Sequence, residues 1–133
     1  MMAAATVNEL LQQLADSLDA FAVSQQQELQ AIVERHHSRV AELAQQKAQY
    51  LTTVSELDAQ LREHPDNKLL QDDPELAEQV SLVKQQLVEV QQQSAVNERV
   101  VQSTLNSIEQ LKQAILSNAK KDSLTYNAKG KIR

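Results

Sequence analysis

The chain has 133 residues, one glycine, two prolines, no cysteine and a net charge of −5. That length suits a single domain. The missing cysteine excludes a disulfide framework and thiolate chemistry, and the acidic balance argues against nucleic acid as the main partner. Strand-favouring aromatics are nearly absent, Phe21, Tyr50 and Tyr126 being all there are, while Gln, Ala, Leu, Glu and Lys dominate. These are good helix formers, so the expected fold class is all-α: a long, coiled-coil-like antiparallel hairpin or bundle with a flexible C-terminal tail.

The first predicted element is one helix over about 6–63. Its apolar stripe runs through Leu11, Leu14, Leu18, Phe21, Leu29, Ile32, Val40, Leu43, Tyr50, Val54, Leu57 and Leu61. Steps of three and four mark the seam of a helix packed on other helices. Gln25, His36 and Lys47 fill the seam with polar groups at a spacing of eleven, which is not a heptad repeat.

Pro65 pushes His64 out of helical backbone, and residues 64–73 read as a linker in which Leu69-Leu70 forms at most one turn. Asp73-Pro74-Glu75 is a helix start: an oxygen to cap free N–H groups, a proline where no donor is needed, and an acid facing the helix dipole.

The second predicted helix covers about 74–120. Its stripe is Leu76, Val80, Val83, Leu87, Val90, Val101, Leu105, Ile108, Leu111 and Ile115, interrupted at Ser94 and Asn97. Residues 1–121 therefore form one helical domain. After Asp122 the apolar period stops, and residues 122–133 read as a flexible tail. The five cations Lys120, Lys121, Lys129, Lys131 and Arg133 against Asp122 make residues 120–133 locally +4. A short connection favours antiparallel neighbours. Two helices bury little surface, so a third layer is expected from a kink, from a second copy in a homo-oligomer, or from a bound partner helix.

Signals for chemistry are weak. His36 and His37 point ~100° apart on a helix and cannot share a metal. No Gly-rich loop cradles phosphate, and a helix hairpin offers no cleft that excludes water. The expectation is no enzyme activity, no metal and no cofactor. Gln25 and Lys47 fit either register-setting polar layers or layers that loosen the bundle for an incoming helix.

Residues 96–116 carry more apolar surface than one seam needs: Val96, Val100, Val101, Leu105, Ile108, Leu111, Ala114, Ile115 and Leu116. This fits a buried central helix, a self-dimer face, or a binding surface for an amphipathic partner helix. The tail, Leu124-Thr125-Tyr126-Asn127-Ala128-Lys129-Gly130-Lys131, reads as a plain tail or as a linear motif anchored by its ring.

Taken together these residues resemble the FlgN family of bacterial flagellar export chaperones. The resemblance rests on Leu18-Asp19-Ala20-Phe21, on Glu28-Leu29-Gln30-Ala31-Ile32, on the Lys47, Leu51, Leu57 pattern, on Asn97-Glu98-Arg99-Val100-Val101 with Leu105, and on Tyr126, Ala128 and Gly130 in a Tyr-x-Ala-x-Gly tail. Asn127 and Lys129 depart from the family's usual tail.

The resemblance implies a cytoplasmic chaperone that holds the hook-filament junction proteins FlgK and FlgL by their helical termini, without ATP hydrolysis. It implies that substrate contacts lie mainly in the C-terminal half, here at Val96, Val100, Val101, Leu105, Ile108, Leu111 and Ile115. It also implies that Tyr126, Ala128 and Gly130 meet the cytoplasmic domain of the export-gate protein FlhA. The competing expectations are a structural coiled coil, or another type III secretion chaperone of the FliT or FliJ type.

Overall fold

Thr6 starts the first helix with a reciprocal cap. Its hydroxyl accepts from the Glu9 N–H at 3.1 Å, and Glu9 Oε2 accepts from the Thr6 N–H at 3.4 Å, so two otherwise unpaired donors are satisfied. Here and below, the computed structural model describes the backbone of residues 5–128 and the side chains of residues 5–118. Helix α1 spans Val7–Val33, α2 spans His37–Glu63, the single turn α3 spans Leu69–Asp72, and α4 spans Pro74–Ala128.

The expected single helix over 6–63 is thus two helices. The break uses a left-handed residue, Arg35, with φ 59°. His36 N–H donates to Ala31 O at 2.9 Å and Arg35 N–H to Ile32 O at 3.1 Å. This pair of bonds is a Schellman ending. Its left-handed position usually takes glycine, and an arginine there hides the turn from a search for Gly and Pro. The eleven-residue spacing of Gln25, His36 and Lys47 is consequently a coincidence of two helices, since His36 lies in the turn.

Asp73 Oδ1 accepts from Glu75 N–H at 2.9 Å and from Leu76 N–H at 3.4 Å. Pro74 holds the first helical position of α4. That helix passes its expected end near Lys120 and reaches Ala128. Residues 120–128 lose the apolar period but contain neither Gly nor Pro, and helix propensity alone does not stop there. Gly130 and the residues beyond Ala128 lie outside the described residues.

The chain forms two units, Met1–Glu98 and Arg99–Arg133. In the first, α1 is the central element. It buries Val7, Leu10, Leu11, Leu14, Leu18, Phe21, Ala31 and Ile32, whereas α2 buries only Leu43, Leu57 and Leu61. Helix α2 returns antiparallel to α1, with the Phe21 and Tyr50 rings stacked at 5.4 Å. His64 Nε2 lies 2.9 Å from Ala5 O, which joins the end of α2 to the start of α1. Its Nδ1 accepts from Asp66 N–H, so Nε2 carries the proton.

The start of α4 runs parallel to α1. Gln79 donates to Gln12 at 3.4 Å, Gln86 to Asp19 at 2.5 Å, and Gln26 to Gln93 at 3.1 Å. Each pair is separated by 67 residues and steps by one heptad on both helices. These polar side chains flank the seam at coiled-coil spacing. Glutamine side chains thus bridge two helices. The third layer of the bundle is supplied by the break in the first predicted helix, the first of the three sources anticipated.

Candidate functional site

The polar interruptions of the two stripes meet inside the first unit. Gln25 Nε2 donates to Val90 O at 3.0 Å and to Ser94 Oγ at 2.5 Å. Asn97, 1 % exposed, donates to Gln25 O at 2.9 Å and to Glu28 Oε1 at 2.8 Å, and accepts from Gln93 at 2.9 Å. Lys47 Nζ lies 3.7 Å from Glu28 Oε1. Ser94 and Asn97 interrupt the α4 stripe because they face Gln25 and Glu28. The layer sets the register of α1 against α4, since a slip by one residue would bury these groups unpaired. Gln25 Oε1 finds no partner among the described residues.

A groove lies beside this bundle. Leu11, Leu14 and Leu18 of α1 line it together with Leu51 of α2, Leu87 of α4 and Leu70 of α3, enclosing about 830 Å³. Leu51 is 54 % exposed. The groove exists because α2 and α4 both pack on α1. No cleft was expected from a two-helix hairpin; the third helix creates one. Its charged lining residues are Asp58, Arg62, Lys68 and Lys84, and Asp58 pairs with Arg62 at 2.9 Å one turn away.

Such a surface offers contact area rather than chemistry. Among the described residues no three His, Asp or Glu side chains gather to hold a metal. Among the described residues no helix is long and apolar enough to cross a membrane. His36 caps α2 without a side-chain bond and His37 begins that helix, both exposed. His36 therefore does not occupy the seam position expected for it.

The second unit is helical through Ala128. Here Leu105, Ile108, Leu111, Ile115 and Leu116 are between 46 and 62 % exposed. Val100 and Val101 are half-buried. Val96, in the first unit, is exposed while its neighbour Asn97 is buried. At ~100° per residue, Val101, Leu105, Ile108 and Ile115 share one stripe, and Val100 and Leu111 fall roughly a quarter-turn to one side of it. The reading of 96–116 as a buried central helix does not survive at Leu105–Leu116. The side chains of Tyr126 and Ala128, and the whole of Gly130, lie outside the described residues.

A family model described as FlgN protein matches residues 1–133 of the chain. No curated protein and no solved structure matches it.

Proposed function

The chain belongs to the FlgN family, and from that premise we propose that its exposed α4 stripe is the surface that holds the exported substrate. As a family member it is a cytoplasmic, non-enzymatic export chaperone for FlgK and FlgL. The observation that carries the proposal is the row of large aliphatic side chains at Leu105, Ile108 and Ile115, with Leu111 beside it, each about half exposed. Soluble proteins keep contiguous apolar patches small unless they bind something. An amphipathic helix from the substrate would cover this row by the i, i+3, i+4, i+7 pattern of helix-in-helix recognition. Val101 continues the row and Val100 flanks it; Val96, expected among the contacts, belongs to the first unit.

The test compares Val101→Asp and Ile108→Asp with Leu51→Asp for binding of purified FlgK, after far-ultraviolet circular dichroism has shown all three folded. A charge on the α4 row leaves an unpaired ion where a partner side chain should pack. Loss of binding in the first two, with Leu51→Asp intact, is the expected result. The groove favours a second reading, in which the substrate helix enters beside Leu51 and Leu87. That reading requires the opposite pattern.

Delivery to the export gate is assigned to the C-terminal residues. Tyr126 brings a large contact area with two torsions to freeze. The neighbouring Lys129, Lys131 and Arg133 steer the segment to an acidic surface through weak, salt-sensitive attraction. Tyr126, Ala128 and Gly130 are the residues proposed to meet the cytoplasmic domain of FlhA.

A further inference from the structure

The exposed row on α4 is not uniformly apolar. Taking ~100° per residue, Lys112 falls within ~25° of the centre line of Val101, Leu105, Ile108 and Ile115. The spacings 101, 105, 108, 112 and 115 alternate four and three. These are successive seam positions of a heptad, with Lys112 where a large aliphatic residue belongs. Of the positions one turn away on its own helix, Ile108, Ile115 and Leu116 are apolar. The fourth, Glu109, accepts a hydrogen bond from Gln113 at 3.1 Å. Lys112 thus stands as a cation amid exposed aliphatic side chains.

We propose that Lys112 selects the partner of this row: a helix that carries a carboxylate at the seam position facing it. The inference rests on the reading of the row as the substrate surface and adds to it a residue that decides which helix fits. Packing a helix here buries the Lys112 stem and strips part of the water from its ammonium. A facing aliphatic residue would leave that ion unpaired. A facing Asp or Glu pairs with it and fixes the register, as single polar seam residues do in coiled coils. The same residue acts against self-association, because two copies aligned in parallel place Lys112 against Lys112. The row therefore accepts a foreign helix with an acid at one position in preference to a second copy aligned in parallel.

The experiment measures binding of purified FlgK to the full-length chain and to Lys112→Arg, Lys112→Gln, Lys112→Glu and Ile108→Asp, at low and high salt. Lys112 is exposed, and circular dichroism checks that each variant folds. The expected order is near wild-type binding for Arg, weaker for Gln, and about tenfold weaker or worse for Glu. Changing the facing acid of the FlgK helix to Lys should restore binding to Lys112→Glu. Sedimentation of the free chain should show more self-association for Lys112→Leu than for wild type. Lys112→Glu binding as tightly as wild type, while Ile108→Asp loses FlgK, overturns the role of Lys112 and leaves the row as the substrate surface. If Ile108→Asp also binds unchanged, the row itself is not the surface and both readings fall. Unchanged self-association of Lys112→Leu removes the discrimination against a second copy.

Discussion

Asn97→Ala probes the polar layer where a single amide holds three partners. Asn97 is buried and bonds to Gln25 O, Glu28 Oε1 and Gln93 Nε2. The largest loss is at Glu28, whose carboxylate would keep only Lys47, at 3.7 Å. A hydrogen bond to a charged group contributes about 1.5–3 kcal/mol. The vacated volume adds about 1 kcal/mol, since neighbouring helices close on it only in part. Gln93 is half-buried and can turn to water. The expected destabilisation is therefore about 3 kcal/mol, a fall of roughly 12–24 °C in Tm for a unit of this size. Urea unfolding followed by far-ultraviolet circular dichroism measures it. The decisive comparison is the same substitution in a Glu28→Gln background. With no buried carboxylate to abandon, Asn97→Ala should cost about 1 kcal/mol less or better. Equal costs in the two backgrounds would refute the assignment of the loss to Glu28 and reduce the layer to packing.

Arg35→Gly should stabilise the bundle by about 0.5–1 kcal/mol, because glycine takes the left-handed turn without the β-carbon clash while adding some unfolded-state freedom. A lowered Tm would show that Arg35 contributes contacts beyond the turn. Ile108→Asp should leave the melting of the Met1–Glu98 unit nearly unchanged while abolishing FlgK capture; a large drop in Tm would mark Ile108 as structural. Tyr126→Ala should fold and capture FlgK normally but bring less of the preformed complex down on the FlhA cytoplasmic domain. Equal recovery of the variant and wild type would leave Tyr126 without that role.

Helicity was legible from composition, because one glycine and two prolines leave long stretches with nothing to oppose a helix. The α4 start was legible too, since Asp73 and Pro74 act through local geometry. The surplus of apolar side chains between Val96 and Leu116 could be counted in advance. The turn at Arg35 could not be found this way: its signature is a pair of backbone bonds and a left-handed arginine, and neither depends on a distinctive residue type.

Tertiary structure decided what each interruption of the stripes was for. Gln25, Glu28, Ser94 and Asn97 are far apart in sequence, and only the parallel packing of α1 on α4 brings donors to acceptors. The groove likewise belongs to no single segment. It follows from α1 burying the most apolar side chains and taking the centre, so that α2 and α4 each pack on it. Local propensity acts over a few residues and names the helices. Which faces meet is settled by burial summed over all of them at once, and that sum places α1 inside and leaves Leu105, Ile108 and Ile115 exposed.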